Sequence, residues 1–337
     1  MSPRPRPPSA TEAHRRWLQL VDTEGPFLSI PALRRVWPQG MPALPEAARL
    51  ALTDGKRDFE KAWDAFGRGR LDADGYAAAR DLWVQTVLSD GFGWGNHLRT
   101  DPEPVTVRSP NHQVSVESAA ELRVEGNRAA LVLLIEPTDS LRDAGADGWA
   151  ASAIDRMELL LIESGCPVGV VTDGRWWGLV SKPEQVMVAS GIVDALTWTE
   201  EPDARDAFAT LLSPLRLVGG RADDRLPALF RESVAAAEDI TEALGIQVRQ
   251  AVELIVQSFS EAAADAKRRG ERSPLPQDGD LIYAAVVTVM MRVVFLLFAQ
   301  ERGLLPQSQL FTDAYGLSGQ LDALRARVND AGGEESL

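Results

Sequence analysis

Apolar and polar positions divide this chain into three regions of different period. From Thr11 to Asp90 the apolar residues recur at helical spacing. TEAHRRWLQLV predicts a first helix with Thr11 as its N-cap. Gly25–Leu44 is broken by Pro26, Pro31, Pro38 and Pro42, which allows only short helical turns laid down by Phe27, Leu33 and Trp37. PEAARLAL, DFEKAWDAF and DGYAAARDLWVQTVLSD predict three more helices, the last with a stripe through Ala78, Leu82, Val84 and Val87. From Val105 the period shortens. PVTVR, HQVSVES, AELRVEG and RAALVLLIEP read as strands, and ASAIDRMELLLIESG as an amphipathic helix ending at Gly165. From Val193 onward the helical period returns, with RSPLPQDGD as a linker between two helices.

The segment VGVVTDGRWWGLVS, Val168–Ser181, predicts a hairpin with a two-residue Asp173-Gly174 turn. Trp176 and Trp177 are neighbours on its second strand, so their indoles face opposite sides of the sheet. One expectation is that the outward-facing Trp packs on the C-terminal helices and makes the hairpin a hinge. The other is that both are core aromatics of a sheet buried on both faces.

Composition narrows the function classes. The chain has 337 residues, 45% hydrophobic and 25% charged, which is a globular composition. A net charge of −14 argues against general nucleic-acid binding. The run KRRGER, Lys267–Arg272, reads as a solvated helix end. A lone Cys166 excludes an intrachain disulfide framework and reads as a core residue. His14, His97 and His112 have no metal-ligand spacing. The Gly91-Gly93-Gly95 run follows a helix, so it reads as a turn and not a dinucleotide loop. The Pro/Arg-rich start lacks the apolar core of a signal peptide and reads as a loose tail over residues 1–15. The apolar segment Leu281–Pro306 carries Arg292 near its middle, which favours a buried core helix over a membrane span. The expectation is a cytoplasmic protein with no membrane partner.

The order helix, strands, helix, strand is similar to the core of PD-(D/E)xK nucleases. In that family acidic residues on two adjacent strands hold Mg²⁺ and a Lys orients the attacking water. Glu136, after the most apolar strand, stands where the motif's second acid would be, and Glu117 or Glu121 is the partner acid. Thr138 occupies the position of the Lys, and Lys182 at the end of the hairpin is the candidate for a relocated lysine, a variation this fold is known for. The metal ligands of an active version would be Glu136 and Glu121. Asp139 and Asp143 read as turn caps.

Two segments carry a second resemblance. VTDGRWWGLVS resembles the TNG-x-W-x-L strand pair of large Eco57I-like, type IIG restriction-modification enzymes, and VVTVMMRVVFLLFAQERGLLP resembles the helix that precedes their methyltransferase domain. WLQLVDTEGPFLSIPAL, ESVAAAEDITEALGIQVRQAVELI and FTDAYGLSGQL fit the same group in the same order. The nearest subgroup is the methylases of BREX- and DISARM-type phage defence. The resemblance implies an N6-adenine DNA methyltransferase that uses S-adenosylmethionine. This chain has neither a glycine-rich cofactor loop after a strand nor an Asn-Pro-Pro-aromatic motif. The expected protein is therefore a non-catalytic N-terminal module, a truncated gene or a split subunit. It would hold no cofactor itself, dock a methyltransferase domain or subunit, and meet DNA through the full assembly. The alternative is an active metal-dependent endonuclease with a relocated lysine.

The expected fold is α/β plus all-α: a degenerate nuclease-like core over residues 101–192, helices over 16–100 before it, and a helical spacer over 193–337 after it.

Overall fold

The computed structural model describes residues 9–330 apart from 102, 146, 183–186, 273–274, 277, 302–303, 306–310 and 312–315. Residues 1–8 of the expected tail and most of FTDAY lie outside the described residues. The chain divides into two compact units, Met1–Glu238 and Asp239–Leu337.

The first unit is built on a seven-stranded mixed sheet. Its strands are β1 (Asp22–Glu24), β2 (Leu98–Arg99), β5 (Ala120–Val124), β6 (Asn127–Leu134), β7 (Val168–Thr172), β8 (Trp176–Ser181) and β9 (Ala189–Asp194). Their order across the sheet is β1-β9-β8-β7-β6-β5-β2. Strands β3 (Thr106–Arg108) and β4 (Ser115–Glu117) form a separate antiparallel pair. The pair β6/β7 is parallel, and helix α5 (Ala153–Ser164) crosses between them. β7 and β8 are buried almost throughout, as strands covered on both faces must be.

One face of the sheet carries α5, where Ile154, Met157, Leu160 and Leu161 meet Leu131, Leu133 and Val171. The other face carries α1 (Ala10–Leu18), α2 (Ile30–Val36), α3 (Glu46–Gly67), α4 (Ala73–Thr86) and α6 (Pro202–Leu211), and its core joins Trp17, Leu33, Phe59, Trp83, Trp177 and Phe208. A short helix α7 (Pro214–Leu217) follows, and the start of α8 (Leu226–Arg268) closes the same core through Leu229 and Phe230. The segments before, within and after the sheet therefore share one core.

Several expectations are corrected. The first helix starts earlier than expected: Ser9 caps it and Glu12 completes a capping box, so residues 10–15 are helix and not tail. PEAARLAL and DFEKAWDAF form one helix, α3, that continues through Gly55. The buried face of α4 is Tyr76, Arg80, Trp83 and Val84, while Leu82 is exposed, because the large aromatics and not the aliphatic stripe take the inward side. The hairpin turn is wider than two residues. Thr172 ends β7 and Trp176 starts β8, so Asp173, Gly174 and Arg175 lie in the loop. Residues Ala189–Asp194, which straddle the expected boundary at 192 and lie outside the expected strands, add the strand β9.

Trp177 answers the hairpin question. It is fully buried, edge-on to Phe92 at 5.6 Å and 6.0 Å from the Trp198 ring. Trp176 faces the other side, half-buried, with the Arg175 guanidinium 4.5 Å above its ring. Trp177 belongs to the core under α3 and α4, and Trp176 packs against the core under α5, so the two indoles serve opposite faces of a sheet covered on both.

The second unit comprises the later part of α8, helix α9 (Gly279–Glu301) and helix α10 (Leu317–Asp330). α9 is long and apolar enough to cross a membrane, and only 6% of its most apolar stretch is buried. The expectation of a buried core helix is thereby corrected: Leu281, Tyr283, Met291, Phe295 and Phe298 are exposed, while Val286 and Ala299 are buried. The described neighbours, α8 and α10, are too few to cover a helix that is apolar all round.

Gly174 offers a test of the buried turn. Its φ is +99° and an added Cβ would sit 2.7 Å from Phe59. Gly126 also has a positive φ, +83°, but open space around it. Gly174→Ala is expected to cost about 2–4 kcal/mol and Gly126→Ala about 1 kcal/mol, measured by urea denaturation. Equal losses would show that backbone strain alone, and not the packed turn, sets the cost.

Candidate functional site

The parallel strands β6 and β7 end side by side, and the chain leaving β6 turns away over their ends. Such a strand end is where open α/β sheets form ligand crevices. Here the loop Ile135–Asp147, β4 and the first turn of α5 enclose a cleft of about 840 Å³. Its polar lining is mostly acidic: Glu117, Glu136, Asp139, Asp143 and Asp147.

Three contacts hold the loop. Ile135 N–H donates to Thr172 O at 3.0 Å, which prolongs the β6/β7 ladder by one step. Thr138 N–H donates to Asp173 Oδ2 at 3.1 Å. Arg142 closes the far end, donating to Asp22 Oδ2 at 3.0 Å, to Glu24, and to Ser190 Oγ at 2.9 Å. The α5 end of the cleft is already satisfied. Ser152 and Asp155 form a capping box. Arg156 grips Asp147 with two bonds of 2.8 and 2.7 Å and stacks on Trp149.

Of the four residues expected to carry chemistry, the structure brings two to this cleft. Glu136 stands at its edge with 84% of its side chain exposed, and its nearest cation is Arg80 at 3.9 Å. Glu117 reaches the same cleft from β4 and accepts a 3.3 Å hydrogen bond from Thr106.

Glu121 lies elsewhere. It pairs across the ladder with Leu131, five residues before Glu136, or roughly 16 Å of strand. It is buried, and Arg123 and Arg128 both donate to it. Burial alone would push its carboxyl up, but those two arginines outweigh it and hold Glu121 below its ordinary value. Arg123 sits directly opposite Arg128 in the ladder, an arrangement that repels unless a carboxylate lies between them.

Lys182 is at the other end of the sheet. Its backbone N–H donates to Pro167 O, before the start of β7, whereas Glu136 follows Ile135, which is bonded to the last residue of β7. Six residues of strand, roughly 20 Å, separate those levels. The Lys182 ammonium is 3.8 Å from Glu158 of α5.

Among the described residues no three His, Cys, Asp or Glu side chains converge as a metal site. A Mg²⁺ shared by Glu136 and Glu121 does not fit this geometry, because a divalent ion binds its oxygens at about 2.0–2.6 Å. Cys166 is buried beside Arg128 O and Val168 O, and burial pushes its thiol up to about 11, the behaviour of a core residue and not of a nucleophile.

The residue that sequence reasoning overlooked is Asp173. As part of an Asp-Gly pair it signals a turn, but it is fully buried, and its carboxylate ties the hairpin to the cleft loop. Comparison with protein-family models, curated proteins and solved structures finds no match to this chain.

Glu121 yields a pH prediction. Its folded value is depressed, so the stability it supplies is present above the unfolded value and is lost as pH falls through the folded one. Glu121→Gln is expected to cost about 1–2 kcal/mol at neutral pH, since both guanidinium groups keep some water. The cost should shrink under acid, which chemical denaturation at several pH values would read. A cost that does not change with pH would remove the ion-pair account.

Proposed function

We propose that this chain is a non-catalytic module of a restriction-modification or phage-defence N6-adenine DNA methyltransferase, a degenerate nuclease-like fold coupled to a helical docking region. The observation that carries the non-catalytic part is the separation of Glu136, Glu121 and Lys182, which occupy different levels of one sheet. The methyltransferase part rests on the resemblance of Val171–Ser181 and Val286–Pro306 to that group, with S-adenosylmethionine bound by the partner domain or subunit. The exposed apolar side chains of α9 support a docking role, since apolar patches of this kind mark interfaces. An acidic chain would then meet DNA through the assembly and not alone.

One arrangement favours a second reading, a metal-dependent endonuclease. Glu117 and Glu136 share a cleft beside a β-hairpin, helix and parallel strand, the order of a nuclease core. Incubation of supercoiled plasmid with the chain and Mg²⁺ or Mn²⁺ separates the readings. The expected result is no nicking above background, with Glu136→Ala indistinguishable from the parent. Nicking that needs both the metal and Glu136 would establish the endonuclease instead.

The docking part has its own test. The isolated chain is expected to self-associate with rising concentration in sedimentation velocity, and Met291→Ser with Phe295→Ser is expected to shift it toward monomer. A parent chain that stays monomeric at every concentration would remove the docking role.

A further inference from the structure

The Asp173 carboxylate accepts three backbone amides, divided unevenly between its oxygens. Oδ1 takes Arg175 N–H at 2.9 Å and Trp176 N–H at 2.7 Å, both from its own turn. Oδ2 takes Thr138 N–H at 3.1 Å, from the loop that lines the cleft. We propose that Asp173 is a proton-operated latch: a proton on Oδ2 releases Thr138 and frees the cleft wall, while Oδ1 keeps the hairpin turn closed.

The geometry selects the protonation site. Oδ1 is occupied by two donors and Oδ2 by one, so the proton adds where fewer bonds are lost. A protonated Oδ2 is a poorer acceptor, and an O–H turned toward Thr138 N–H sets donor against donor, so the contact weakens. The released segment is short and already anchored at both ends. Ile135 N–H holds it to Thr172 O on one side and Arg142 holds it to β1 on the other. Between the anchors Thr138 and Ser140 bond to each other, Thr138 Oγ1 donating to Ser140 O at 3.0 Å, so they move together. Glu136 and Asp139 line the cleft on the same segment.

The surroundings place the titration above that of an ordinary Asp. Burial pushes the Asp173 carboxyl up, and the amides of Trp176, Thr138 and Arg175 offset only part of this. The folded chain therefore takes up this proton more readily than the unfolded chain. The penalty for burying the charge is present at high pH and relieved as pH falls through the raised value. The other ionisable groups at the site are known. From α4, Arg80 donates to Ile135 O at 3.0 Å and Tyr76 O–H donates to Asp173 O at 2.7 Å. Glu136 and Asp139 come with the loop, and Arg175 of the turn is engaged by Asp194 of β9 at 2.8 Å. From α3 the rings of Phe59 and Trp63 meet Gly174 and Arg175.

Amide hydrogen exchange on the full chain tests the latch, read by NMR as protection factors so that the intrinsic pH dependence is removed. As pH is lowered from neutral toward the ordinary Asp value, Thr138 is expected to lose protection roughly tenfold or more, while Trp176 keeps its own. The Asp173 carboxyl carbon shift is expected to titrate over the same range. Asp173→Asn, which keeps one acceptor for the turn and sets an NH₂ against Thr138, should leave Thr138 unprotected at every pH. If that variant does not fold, the parent's two amide curves and the carboxyl titration still decide. Loss of protection at Thr138 and Trp176 together overturns the latch. So does a Thr138 amide that stays protected across the range, whether or not the carboxyl titrates.

Discussion

The hairpin tip at Asp173-Gly174 is a polar object inside an apolar core, and the fold is arranged to satisfy it. A turn normally sits in water, where its peptide groups find partners without cost. This one is buried, so each peptide group needs a partner from the protein. Gly174 O accepts from the Trp83 and Trp177 indoles at 2.9 and 3.0 Å, and Asp173 O accepts from Tyr76. Tyr76, Arg80 and Trp83 lie on one face of α4 at spacings of four and three, so a single helix supplies three polar contacts to this end of the sheet. The aromatic bodies of the same residues fill the core around the turn. Polar tips and apolar rings together lock α4 to the sheet, and the cleft inherits its position from that lock.

Arginine plays a related part at longer range. Arg35 reaches Asp224 and Glu232, nearly two hundred residues away in sequence, at 2.7 Å each. Arg142 joins the cleft loop to β1, and Arg175 joins the hairpin to β9. A planar guanidinium holds two partners in fixed directions, which suits it to staple distant segments. Cations spent in this way are not offered to phosphate, and the chain already carries an acidic excess. The same economy explains the buried Glu121, a carboxylate that keeps two ladder-opposed arginines together.

Elements with strong local signals were legible from the residues alone. The apolar run of β6, the capped stripe of α5 and the Asp-Gly hairpin each carry their information within about a dozen neighbours. The two edge strands of the main sheet, β1 and β2, were not. Asp22-Thr23-Glu24 has no apolar alternation, because it is an exposed strand defined by its pairing with β9. The inward face of α4 was misread because Tyr76 and Trp83 bury their rings while donating outward from the ring edge, a choice made by the turn they meet. The candidate site was legible as far as Glu136, which simply follows an apolar strand. Where Glu121 and Lys182 fall depends on strand pairing and direction, and neither is encoded near those residues. Asp173 looked like any turn aspartate. Only the helices packed over it make it a buried one.

The two outer strands of the main sheet are three and two residues long. One of them, β1, is exposed, carries two carboxylates and is clasped by Arg142. Borders so short and so charged give an incoming strand almost no backbone ladder to extend. The sheet is thereby closed to growth by strand addition, the commonest route by which a β-rich protein recruits another chain or polymerises.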